Sequence, residues 1–250
     1  MRTKRILVVA KDPESLALEA AGRWVELVDE AIRNRGLAHI ALSGGSTPKK
    51  FYQRLASAPF NRSVDWSKVH LWFADERFVP HDHPESTTRL VRETLLCGID
   101  LPDSHFHPMP TDQDDPDAMA EAYAKEFEAF MGACGPGLDL ALLGMGPDGH
   151  TASLFPGHPI EEGIVVAIQN SPKPPPIRLT LTLETLRRSR QVWFLVTGAD
   201  KADVLDQVFA KEADDTDALP AAQVHDIHDT SLWLTDPQAA SCLPSGLREP

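Results

Sequence analysis

His150 can take up a proton near neutral pH, and its neighbours suit that use. It stands in the stretch Gly144-Met145-Gly146-Pro147-Asp148-Gly149-His150-Thr151-Ala152-Ser153-Leu154-Phe155-Pro156-Gly157. A free imidazole titrates near ~6.5, which suits a general base. Asp148, two residues earlier, is placed to fix the surroundings of the ring. The apolar run from Leu138 to Leu143 reads as a buried strand. The glycine-rich loop therefore leaves the carboxyl end of a strand, where open α/β sheets bind ligands. The plain alternative is a turn that carries a surface Asp–His pair, and two further stretches weigh against it.

The first is Ser43-Gly44-Gly45-Ser46-Thr47-Pro48, between the short apolar run Ala38–Leu42 and a helical stretch from Lys49 to Ser57. Pro48 suits the first helical position and Thr47 the cap before it. A strand, a glycine turn and a helix N-terminus leave several N–H groups facing one concavity, with the helix dipole adding positive charge. Ser43, Ser46 and Thr47 add hydroxyls, and Gly44 and Gly45 allow close approach, so a phosphate fits. The spacing is neither that of a P-loop nor GxGxxG, which argues against a nucleotide. A tight turn that binds nothing is the simpler alternative.

The second is Asp75-Glu76-Arg77-Phe78-Val79-Pro80, after the apolar run Val69–Ala74. Three adjacent charges at a strand end must be paired, because burying them alone is expensive. Arg77 matches a phosphate or a developing oxyanion bidentately, while Asp75 and Glu76 can orient it or cap a helix. An ion-pair cluster with no ligand is the competing explanation. Lys201 opens a helix, where a cation is disfavoured unless an anion accompanies it. That makes it a candidate phosphate contact or, more simply, a solvated lysine.

These residues need a scaffold, and the chain supplies one. Helical spacing runs from Pro13 to Arg35 through Leu16, Ala20, Trp24, Leu27, Val28, Ala31 and Ile32, and stops at Gly36. Further helices are expected at 84–96, 117–131 and 201–210. Strands are expected at 6–10, 163–169, 192–197 and 231–234. Arg178 to Leu183 alternates as a half-buried strand does. The proline run from Ser171 to Pro176 is rigid and extended, since so many prolines exclude a helix. No repeat and no linker divides the chain, so a single α/β domain over 1–250 is expected.

Composition narrows the function. The chain has 250 residues, 42% of them hydrophobic and 24% charged, which is ordinary for a globular protein. A formal net charge of -13 argues against a nucleic-acid partner. Much of it lies in two acidic runs, 112–117 and 212–217, read as solvated loops. An anionic substrate would need local cations to overcome that field. The three cysteines are scattered, as free thiols in a reducing, cytoplasmic compartment would be. The N-terminus reads as a first strand rather than a signal peptide, and no segment approaches the ~20 apolar residues of a membrane span. His81-Asp82-His83 and His105-Phe106-His107 look like metal half-sites, but each lacks enough partners.

Taken together, the 43–48, 75–80 and 144–156 motifs resemble the 6-phosphogluconolactonase family in order and spacing. Arg178-Leu179-Thr180-Leu181-Thr182 and Thr197-Gly198-Ala199-Asp200-Lys201 extend the likeness over nearly the whole chain. The resemblance implies a modified Rossmann-type fold, mainly a parallel sheet flanked by helices with a small additional lobe. It is shared with glucosamine-6-phosphate deaminase and ribose-5-phosphate isomerase. It also implies hydrolysis of 6-phospho-D-glucono-1,5-lactone, in the oxidative pentose phosphate pathway, with no metal and no cofactor. His150 would then be the base, with Asp148 beside it. Arg77, Lys201 and the Ser43–Thr47 loop would contact the phosphate, and Arg178 is a further candidate for substrate contact. One departure is visible: Ser86-Thr87 stands where the family often has Ser-Asn, so an amide donor is missing. A related deaminase or isomerase and a silent phosphosugar sensor are the rival readings. The oligomeric state is not legible.

Overall fold

The computed structural model describes residues 4–134, 137–159, 162–210, 218–224 and 230–247. The chain opens with β1 (Lys4–Val9) and α1 (Pro13–Arg35). Both ends of α1 are written in the sequence. Asp12 caps it by accepting from Ser15 N at 2.7 Å, Pro13 holds the first helical position, and Gly36 ends it in the left-handed region at φ 85°. Leu16, Ala20, Trp24, Leu27, Val28 and Ala31 form its buried face.

β2 (Ala38–Leu42) leads into α2 (Ser46–Leu55), and β3 (Val69–Phe73) into the short β4 (Asp75–Arg77). α3 (Thr87–Thr94) and α4 (Pro116–Cys134) follow, then β5 (Leu140–Gly144). β6 (Val165–Ile168), β7 (Arg178–Leu181) and α5 (Leu183–Arg187) come next. β8 (Val192–Val196), α6 (Ala202–Ala210), α7 (Pro220–Val224) and β9 (Thr230–Thr235) complete the described strands and α-helices.

Six strands form one parallel sheet in the order β1-β9-β8-β5-β2-β3. β2, β3 and β8 are buried along their whole length, as expected of parallel strands covered on both faces. The core is continuous, with Trp24, Trp72, Trp233, Phe73 and Phe194 among its largest fully buried side chains. From β5 the chain builds outward through β8 and β9, whereas β2 builds outward through β3. The loops that leave β2, β5 and β8 therefore meet at the carboxyl ends of the strands.

The additional lobe is a three-stranded antiparallel sheet, β4-β7-β6. Here one expectation is corrected: β7 is not half-buried. Arg178, Leu179, Thr180 and Leu181 are all buried, because β7 is the central strand, and the alternating Thr180 closes its hydroxyl onto Leu181 O at 3.0 Å. Leu183 already belongs to α5. The acidic run at 112–117 is exposed apart from the half-buried Pro116, while the run at 212–217 lies outside the described residues.

Candidate active site

The His150 loop is closed by its own hydrogen bonds. Gly146 N donates to His150 O at 2.9 Å, Gly149 N to Gly146 O at 3.0 Å, and Thr151 Oγ1 to Gly144 O at 2.8 Å. The imidazole lies so close over Gly146 that a Cβ there would collide with Nδ1 and Cε1. Ala152, the next cleft-lining residue, sits in the left-handed region at φ 48°. Asp148 accepts from His150 Nδ1 through Oδ1 at 2.5 Å, which leaves Nε2 as the proton-accepting nitrogen. Phe155 packs beside the ring, 4.9 Å between centroids.

Burial pulls His150 below the usual imidazole range, and the Lys173 charge acts in the same direction. Asp148 opposes both but does not reverse the outcome. At Asp148 burial works upward, but the His150 hydrogen bond and charge, with Lys173, outweigh it and hold the carboxyl down at about 2. The pair is thus a carboxylate behind a neutral imidazole at pH 7.

His150 opens onto a cleft of about 340 Å³. Ser43, Gly44, Gly45, Ser46 and Thr47 line it, together with Asp75, Arg77, Arg178, Asp200 and Lys201. Asp148 is not on the wall but behind the imidazole. The α2 terminus differs from the expectation: the helix starts at Ser46, and Gly45, at φ 120°, is its cap. Glycine alone adopts that conformation readily, so Thr47 is freed from capping. Gly45 supplies no side-chain cap to this helix end, whose first N–H groups have no intrahelical partner. Thr47 Oγ1 meets Thr197 Oγ1 at 2.7 Å, which joins this loop to the one after β8.

Arg77 reaches the cleft with Nη1 on Glu85 O at 2.9 Å. Its Nε, Ser43 Oγ and Thr87 Oγ1 are buried without a partner among the described residues. Arg77 and Ser43 line the cleft, where a polar ligand could satisfy them. Glu76 has the capping role foreseen for the charged cluster. Its fully buried carboxylate accepts from Arg77 N, Ser86 Oγ, Thr87 N and Thr88 N, at 2.7–3.1 Å. Asp75 accepts from the buried Ser153 Oγ at 2.7 Å. That serine is outside the cleft wall and bonded to a carboxylate, not to an imidazole, so it is no nucleophile.

Lys201 sits in the turn before α6 and is ion-paired with Asp200. Arg178 is buried, and its contacts are mostly structural: Nη2 donates to Pro174 O at 3.0 Å and Nε to Pro175 O at 3.3 Å. The residue that sequence reasoning missed is Lys173, 3.1 Å from Asp148 Oδ2. A single cation inside a proline run, five residues before Arg178, was the available signal. Among the described residues, no three His, Cys, Asp or Glu side chains gather as a metal-holding group. His105 and His107, read as part of a connector, belong instead to a ring stack at the far ends of β2 and β3. His70 lies 3.9 Å from His105, and His107 is 3.9 Å from Trp72, between centroids.

The fold and the cleft define an open α/β protein with an anion-suited loop and a carboxylate-backed imidazole at the strand ends. The model of the family described as Glucosamine-6-phosphate isomerases/6-phosphogluconolactonase matches residues 11–233, and the chain belongs to that family. It is similar to the 6-phosphogluconolactonase of Streptomyces coelicolor, at 39% identity over 255 residues, covering 98% of this chain and 97% of that one. It is similar also to the 6-phosphogluconolactonase of Rattus norvegicus, at 44% over 245 residues, covering 95% and 93%. The solved structure of the 6-phosphogluconolactonase from Trypanosoma brucei superposes with a TM-score of 0.83 at 29% identity, covering 97% and 100%.

Proposed function

We propose that this chain hydrolyses 6-phospho-D-glucono-1,5-lactone to 6-phospho-D-gluconate, a step of the oxidative pentose phosphate pathway, with His150 as general base. The observation that carries the reading is that the imidazole shares one cleft with the Ser43–Thr47 loop, Arg77 and Lys201. That two relatives covering nearly the whole chain are 6-phosphogluconolactonases supports the substrate.

A lactone is an activated ester. Water gives a proton to His150 Nε2 as its oxygen bonds to the lactone carbonyl carbon. The tetrahedral intermediate then expels the ring oxygen, which takes that proton back. The water oxygen ends in the carboxyl group, whose remaining proton is lost to solvent to give the carboxylate. Asp148 holds the ring in the required tautomer and stabilises the transient imidazolium. The phosphate, bound by the 43–47 loop, Arg77 and Lys201, positions a reacting carbon some bonds away. Arg178 is a further candidate for substrate contact, and cations or N–H groups of the cleft wall take the oxyanion charge. No metal or cofactor enters this scheme. We place the enzyme in the cytoplasm, which the free thiols Cys97 and Cys242 support. We read residues 1–250 as a single domain, which the continuous core supports.

The test is a steady-state lactone assay with purified protein and chelator present, corrected for spontaneous hydrolysis. Turnover is expected, and His150→Ala should lower kcat by at least about 10²-fold. Ammonia release from glucosamine 6-phosphate instead of lactone turnover would assign the chain to the deaminases. Binding of 6-phosphogluconate with no turnover of either would make it a sensor.

A further inference from the structure

Lys173 belongs to none of the groups assigned above, yet its ammonium touches both members of the catalytic pair. Nζ lies 3.1 Å from Asp148 Oδ2 and 3.2 Å from His150 Nδ1. A surface lysine usually samples many rotamers at little benefit. This one is delivered by a segment with little freedom. Pro172, Pro174, Pro175 and Pro176 flank it, and each proline fixes one backbone angle. Ser171 N donates to Pro176 O at 2.9 Å, and Ser171 Oγ to Lys173 O at 2.9 Å. Arg178 clamps the same segment through the carbonyls of residues 173, 174 and 175. A buried guanidinium spent on three consecutive carbonyls is a strong anchor for a loop with one charged side chain to present.

The two contacts cannot both be donor bonds at once. Nδ1 carries the proton it gives to Asp148 Oδ1, so it has no lone pair for an ammonium. The bond that Lys173 makes is therefore to Asp148 Oδ2, and its approach to the ring is a charge held near an N–H. We propose that Lys173 is the positioning residue of a Lys173–Asp148–His150 relay. It holds Asp148 by one oxygen so that the other faces His150 Nδ1, and its charge discourages a second proton on the imidazole. This keeps the Nε2 lone pair free towards the cleft. The proposal rests on the reading of His150 as base. The charged groups that face the ring are Asp148 from its own loop, Lys173 from the proline segment and Asp75 from β4; Arg77, Arg178 and Lys201 lie along the same cleft.

The test uses the full chain and the pH dependence of kcat between pH 5 and 8, for wild type, Lys173→Met, Lys173→Arg and His150→Gln. Lys173→Met should move the acid limb upward by about one pH unit and lower kcat at neutral pH, with KM for the phosphorylated lactone within about twofold. Lys173→Arg should return the limb towards wild type. An unshifted limb in Lys173→Met, alongside an inactive His150→Gln, overturns the role of Lys173 alone. A large rise in KM without a shifted limb also overturns it, and makes Lys173 a phosphate ligand. A His150→Gln enzyme with wild-type kcat would overturn the base assignment and this inference with it.

Discussion

The hydroxyls of Thr47 and Thr197 meet at 2.7 Å and tie the loop after β2 to the loop after β8. The phosphate-binding candidates on the two sides, Ser43–Thr47 and Lys201, leave strands of one sheet, and this bond adds a direct link between them. A neutral hydrogen bond contributes about 1 kcal/mol. Thr197→Val should therefore raise KM for the phosphorylated lactone roughly fivefold and leave kcat nearly unchanged. Equal KM values in wild type and variant would separate the bond from substrate binding.

Gly146 is held to glycine by the imidazole above it. Gly146→Ala should push His150 off Asp148 and lower kcat at least about tenfold, while the melting temperature moves by only a few degrees. The variant is to be assayed and melted in parallel. Normal turnover would mean that the ring tolerates displacement and that its placement over Gly146 is incidental.

Glu76 organises the approach to the cleft without touching it. Its carboxylate accepts from three backbone N–H groups and a hydroxyl while fully buried. Glu76→Ala leaves those donors unpaired and should cost about 3 kcal/mol or more. Glu76→Gln, which keeps one acceptor oxygen, should cost less. Urea denaturation checks the order, and identical midpoints for both variants would refute it.

The stacked histidines at the far end of the sheet set an acid limit on stability. Burial, reinforced by neighbouring His and Arg charges, lowers His39 to about 4. Burial, with the neighbouring histidines, lowers His70 to about 3. Both stand below the ~6.5 of an unfolded chain. Between pH 6.5 and about 4 the unfolded state binds more protons, so stability falls as pH falls. Each group contributes up to about 1.4 kcal/mol per pH unit. Urea midpoints should drop from pH 7 to pH 5, and His70→Phe should flatten that drop. A flat wild-type profile would show that these rings titrate normally.

Sequence legibility follows whether a feature is local. α1 is read to the residue because its apolar spacing runs from Pro13 to Arg35 and Gly36 states where it stops. The three strand-end motifs are read because each combines a short apolar run with residues costly to place elsewhere. The start of α2 is misread because Gly45 caps it through a backbone angle that leaves no mark in composition. β7 is misread because Thr180 alternates like an exposed residue yet satisfies its hydroxyl inside the sheet. Lys173 is missed for a deeper reason. Its value depends on Asp148, on Arg178 and on the path of a proline loop, and pairings of that kind emerge only once the chain is folded.

Strand β1 pairs along its length with β9, residue 4 opposite residue 230. On a ribosome adding about 5–20 residues per second, the first strand waits roughly 10–45 s for its neighbour. During that interval its pairing edge is open to foreign strands. Until β9 is made, β1 is therefore a site of aggregation risk, and a chaperone that shields residues 4–9 would protect the nascent chain there.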